Sequence, residues 1–220
     1  AIVIPTAGAA AVDINASNVT VNGFTFTGAT GGTTNPVVRS FNNASNNVVV
    51  SYNVIEDNVA TAGIFRNGGA TVANWDISYN RIVDLTNAND ICCGPTGILP
   101  WKINGLTVVG NVMLDNQTTG INAEAITNAL IEGNTITNTA RNGLQLSGAS
   151  GNVTVRGNTV TNTFTDYPNA IARGALGIWE PVKFIGPVCV VGNTFTNSNH
   201  GVGVYDDNDD VSNGYLKIVA

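Results

Sequence analysis

Apolar residues fall at alternate positions in short runs, and each run breaks at an Asn-centred phrase that recurs along the chain. Six copies centre on Asn53, Asn80, Asn111, Asn134, Asn158 and Asn193, and Phe24 holds the equivalent slot in a seventh. Five and three residues before the slot stand Val19 and Val21, Val48 and Val50, Trp75 and Ile77, Leu106 and Val108, Ala129 and Ile131, Val153 and Val155, and Val188 and Val190. Two residues after it stand Phe26, Ile55, Ile82, Met113, Ile136, Val160 and Phe195. Positions between these are mostly polar or small. Such period-two alternation marks strands with one buried face. The Asn interrupts it at a corner, where its amide can both donate and accept. A further short strand follows in most copies, at Gly63-Ile64, Gly97-Ile98, Gly120-Ile121, Gly143-Leu144, Ala175-Leu176 and Gly201-Val202. Each repeat therefore predicts a coil of about three short strands, and residues 1–220 predict one all-β domain of about seven stacked coils.

The copies recur 23 to 35 residues apart, the spacing of solenoids and arrays. Stacking would bring the corner Asn residues into a ladder of mutually bonded amides. The phrase resembles the generic repeat of the right-handed parallel β-helix in the pectate-lyase-like superfamily, and the resemblance runs from about Val12 to Tyr205. It implies a single-domain right-handed parallel β-helix. It implies no single activity, because that superfamily holds lyases, hydrolases, epimerases, phage tailspikes and non-catalytic surface proteins.

Composition narrows the field. Only 11% of residues are charged and the net charge is −6, so the basic footprint of a nucleic-acid binder is missing. An acidic polysaccharide would be repelled without a cation or a local basic cleft. No apolar run reaches membrane-spanning length. The opening Ala1-Ile2-Val3-Ile4-Pro5 reads as a trimmed chain rather than a signal peptide. Low charge with many Asn and Thr residues points to an extracellular or cell-surface home. Sequons at Asn18, Asn116 and Asn152 follow from the Asn-x-Thr character of the repeat itself. Cys92, Cys93 and Cys189 are odd in number, which leaves their disulfide state open, and with His200 as the sole His they lack zinc-type spacing.

Function in a solenoid usually resides in irregular segments and outward side chains. The irregular segments here are 84–100 and 164–187. Just past the third strand, the outward positions include Trp101, Glu124, Ser147, Trp179 and Tyr205. Trp179 and Tyr205 lie on successive coils, beside Glu180, Asp206 and Asp207. Aromatic faces next to carboxylates can hold a sugar, with the ring stacked and its hydroxyls bonded. Trp179, Glu180, Tyr205, Asp206, Asp207 and Glu124 are thus the candidate carbohydrate-binding residues. Asp206, Asp207, Asp209 and Asp210 are a candidate Ca²⁺ site, although Val211 stands where the helix-loop-helix pattern requires Gly. The same run reads more simply as a polar cap on the end of the solenoid.

Catalytic motifs of the resembled superfamily are largely missing. Asn-Thr is followed by Ile136, Val160 or Phe195 rather than Asp, His200-Gly201 lacks a preceding Gly, and neither Arg-Ile-Lys nor Asp-Pro-His occurs. Glu132 and Arg156 share one outward slot on successive coils and predict a surface ion pair. Outward Thr-x-Thr pairs at Thr25/Thr27, Thr135/Thr137, Thr159/Thr161 and Thr194/Thr196 resemble ice-binding ladders, but the middle coils interrupt them. Both chain ends are apolar and strand-like, and would either close the coil ends or pair with a second copy. The sequence therefore predicts an extracellular β-solenoid with a structural or surface-binding role, self-associating through its terminal strands. The alternative is a polysaccharide lyase or glycoside hydrolase, and ice binding is a third reading.

Overall fold

The computed structural model describes residues 1–5, 9–28, 35–86, 95–115, 118–163, 174–180, 183–205 and 216–218. The described strands form three parallel sheets of eight strands each. The chain visits the sheets in rotation, so every third strand pairs with the last. The first sheet runs from Ile2–Val3 through Thr25–Thr27 to Thr194–Ser198, the second from Val12–Asp13 to Val202–Tyr205, and the third from Thr20–Asn22 to Leu216–Ile218. This is a parallel β-helix. The described terminal segments extend the repeat at both ends: Ile2–Val3 pairs with Thr25 and Phe26, and Leu216–Ile218 pairs with Val188 to Val190.

Register follows the apolar pattern. Phe26, Ile55, Ile82, Met113, Ile136, Val160 and Phe195 are successive partners across the first sheet. All but Phe195 are buried. In the second sheet Val38, Ile64, Ile98, Ile121, Leu144, Leu176 and Val202 form the matching column. The third sheet stacks Val48, Trp75, Leu106, Ala129, Val153 and Val188 in the same way. A one-residue slip would turn a whole column outward, so the buried face locks the register. Full burial stabilises by about 1.5–3 kcal/mol per large aliphatic side chain. Trp75 is accommodated because its indole N–H donates to the Ser45 carbonyl at 2.7 Å.

The glycines that open the second-sheet strands have a steric cause. A methyl group at Gly120 would lie 2.5 Å from Cγ2 of Ile136 and 2.7 Å from the Gly143 carbonyl oxygen. At Gly143 it would lie 2.1 Å from Cγ1 of Val160. The coil crosses its own core too closely there for a side chain.

The Asn corner is a continuous internal ladder. Asn53, Asn80, Asn111, Asn134 and Asn158 are almost wholly buried. Each Nδ2 donates to Oδ1 of the next Asn at 2.8–3.0 Å, ending at the half-buried Asn193. Each Oδ1 also accepts the backbone N–H of the preceding Asn. Each Nδ2 reaches the carbonyl three residues before the Asn slot of the previous coil, as from Asn134 to Val108 at 2.9 Å. Phe24 can end the ladder because only its backbone N–H is needed, donating to Asn53 Oδ1 at 3.0 Å.

Two exposed ladders accompany the buried one. Asn47 bonds Asn18, Asn74 bonds Asn47, Asn128 bonds Asn104 and Asn152 bonds Asn128. On another corner Asn138 bonds Asp115 and Asn162 bonds Asn138. Nearly all these residues adopt positive φ, between 50° and 61°, a conformation Asn and Asp tolerate best among residues with side chains. The Asn excess of the composition thus has three uses, of which alternation reveals one.

Candidate functional site

The outward row at the end of the second sheet is assembled by coil stacking. Trp101 bridges Glu124, Glu124 pairs with Ser147, and Trp179 pairs with Tyr205. The start of the row is held from beneath by the buried Arg66, which donates Nη1 to the Trp101 carbonyl at 2.6 Å and Nη2 to the Ala70 carbonyl at 2.7 Å. Burial lowers the pKa of this guanidinium from its ordinary value.

Trp179 and Tyr205 lie with ring centroids 4.7 Å apart, tilted by 55°. Tyr205 is 37% exposed. The indole Nε1 of Trp179 is buried and has no hydrogen-bond partner among the described residues. The same is true of Asn122 Oδ1, one outward row away. That neighbouring row continues through Gln145, Gly177 and Gly203, so beside the two aromatics it presents no side chain. An unpaired buried donor or acceptor costs about 1–3 kcal/mol.

Charges gather at the same place. Lys102 Nζ sits 4.7 Å above the Trp101 ring. Lys183 pairs with Glu180 at 2.5 Å. Burial, reinforced by the negative charge of Glu180, raises the Glu124 carboxyl above the ordinary carboxylate range, against the pull of Lys102 and Lys183. Glu124 is half-buried in the row. The row therefore offers aromatic surface, a half-buried carboxyl of raised pKa and a paired carboxylate, all suited to a polyhydroxylated ligand.

The structure thus brings Trp179, Tyr205, Glu180 and Glu124 into one neighbourhood. Asp206, Asp207, Asp209 and Asp210 lie outside the described residues, as do Cys92 and Cys93. Among the described residues no three or more His, Cys, Asp or Glu side chains are grouped as metal ligands. Cys189 is free and half-buried at an outward position between Thr154 and Lys217. Lys102, Lys183, Asn122 and Gln145 were not candidates from sequence. Lys102 could have been found by its adjacency to Trp101; Lys183 lies in an irregular stretch that no periodicity places.

Other outward features are simpler. Arg156 and Glu132 form a bidentate ion pair at 2.8 and 3.0 Å. Thr135, Thr159 and Thr194 are in register, as are Thr137, Thr161 and Thr196, so the flat threonine array spans three coils. Among the described residues no helix is long and apolar enough to cross a membrane.

The family model described as the right handed beta helix region matches residues 86–179. That span contains the row from Trp101 to Trp179 and stops short of Tyr205. The chain is a right-handed parallel β-helix, and its likeness to the pectate-lyase-like superfamily is consistent with the match. No curated protein matches the sequence.

Proposed function

We propose that this β-solenoid is an extracellular surface-binding protein whose ligand is a glycan, held along the row from Trp101 to Tyr205. The observation that carries the reading is the tilted Trp179–Tyr205 pair, next to the Glu180–Lys183 pair and two coils along the same row from Glu124. Saccharide rings stack their C–H faces on such aromatics, and their hydroxyls bond neighbouring carboxyl groups. A screen against immobilised glycans tests the reading. A hit whose binding falls at least tenfold in both Trp179→Ala and Tyr205→Ala, with melting temperatures nearly unchanged, supports it. Undiminished binding in both variants removes the row from consideration.

The second reading is glycan cleavage. It draws on the Glu124 carboxyl, whose pKa is raised by burial and by the charge of Glu180, since a carboxyl of raised pKa is the general acid of many glycoside hydrolases. New reducing ends or unsaturated products from the bound glycan, lost in Glu124→Gln, would establish it. Self-association is a further part of the proposal. It draws on the edge strand Ile2–Val3, which pairs on one side with Thr25 and Phe26 and leaves Ile2 73% exposed. Sedimentation of the wild type against Ile2→Lys tests it, a concentration-dependent polymer lost in the variant being the supporting result.

A further inference from the structure

The outer face of the third sheet carries a groove separate from the aromatic row. Its volume is about 610 Å³, and its lining includes Val49, Asp76, Thr107, Leu130 and Thr154. These five are successive register partners, one from each coil, so the groove runs along the solenoid axis. The floor thus reads apolar, acidic, hydroxyl, apolar, hydroxyl. All five side chains are half-buried although they point outward. One wall is the exposed Asn ladder, including Asn74 and Asn128. Among the described residues no Lys, Arg or His lines the groove, and Asp76 Oδ1 is buried without a hydrogen-bond partner.

Asp76 is half-buried in a groove without a cation among its described lining residues, and a carboxylate so placed favours a ligand that brings a donor. The missing partner must be a donor, and a cationic one answers the charge as well as the bond. A peptide strand fits poorly, because the backbone groups of a central sheet face are already paired and same-face side chains of a strand repeat at roughly 6.6 Å against about 4.8 Å per coil. The flanking Val49 and Leu130 call for a short apolar stem.

We propose that this groove binds a primary ammonium group carried on an aliphatic stem, with the ammonium donating to the Asp76 carboxylate and Thr107 Oγ1 and the stem lying on Val49 or Leu130. The site is independent of the aromatic row and of what binds there.

The test is titration of the isotopically labelled protein with n-butylammonium and with n-pentanol at low salt, followed by amide chemical shifts. Saturable shifts confined to the strands around Asp76, Thr107 and Leu130, with butylammonium binding at least tenfold tighter than pentanol, are expected. In Asp76→Asn the ammonium affinity should fall about ten- to a hundredfold, as for loss of a hydrogen bond to a charged group. Leu130→Lys should abolish binding in the same way, since it places a tethered ammonium in the groove, and it keeps the test decisive if Asp76→Asn fails to fold. Equal affinity for the amine and the alcohol, unchanged affinity in a folded variant, or shifts mapping elsewhere would overturn the proposal.

Discussion

At the Asn corner each coil contributes the same side chain in the same place, whereas along the row from Trp101 to Tyr205 each contributes a different one. The corner amides bond their own copies at 2.8–3.0 Å, so identity is the requirement: an amide is complementary to another amide one coil away. The outer row runs Trp, Glu, Ser, Trp, Tyr, and its members leave an indole N–H unpaired and a carboxyl inclined to keep its proton. Repetition satisfies polar groups internally. Departure from repetition leaves them for something else. The Asp76 groove teaches the same lesson, since Val49, Asp76, Thr107, Leu130 and Thr154 break any ladder on that face and one carboxylate oxygen goes without a partner.

The largest expected effect breaks the ladder. Asn134→Leu deprives the Asn111 backbone N–H and Nδ2 of their shared acceptor, and the Val108 carbonyl and Asn158 Oδ1 of a donor. The cost should be about 1–3 kcal/mol for each buried group left unpaired, read as a lowered midpoint in urea. Asn193→Leu, at the half-buried end of the ladder, should cost clearly less. Equal costs at both positions would show that burial does not set the value of a rung.

A smaller and pH-dependent effect is expected in the outer row. Because Glu124 has a raised pKa in the fold, its neutral form is favoured there; its contribution to stability is present below the ordinary glutamate value and lost as pH rises through the folded value. Glu124→Gln should therefore raise the melting temperature at pH 7 and leave it nearly unchanged at pH 4. A gain of the same size at both pH values would contradict the burial-driven shift. The smallest effect belongs to the surface pair: Arg156→Gln should leave the melting temperature within error at physiological salt, despite the bidentate geometry with Glu132, because both groups are solvated.

Much of the fold was legible because the repeat restates one physical rule many times. Alternation identified the buried columns from Phe26 to Phe195 and from Ile64 to Val202. The equal offset of Trp179 and Tyr205 from Leu176 and Val202 in the third strands of successive coils was enough to make them neighbours. The exposed Asn ladders were not legible, because a positive φ leaves no mark in an alternating pattern, and in the coil containing Gly105 the bonding side chain comes from Asn104 instead. The contribution of Lys183 was hidden as well, since it reaches Glu180 from outside the repeat.

The sequence by itself determined that the chain is a stack of coils, which side chains face the core, and that one corner carries an amide in nearly every turn. Periodicity encodes all three, because a strand's inside and outside alternate residue by residue. Only the tertiary structure decided which outward residues meet. The distance between Trp179 and Tyr205, the burial of Glu124 near Glu180 and the isolation of Asp76 Oδ1 depend on how coils of unequal length align. Stacking adds about 4.8 Å per coil whatever the loop between strands contains, so residues more than twenty positions apart in sequence become nearest neighbours through register alone.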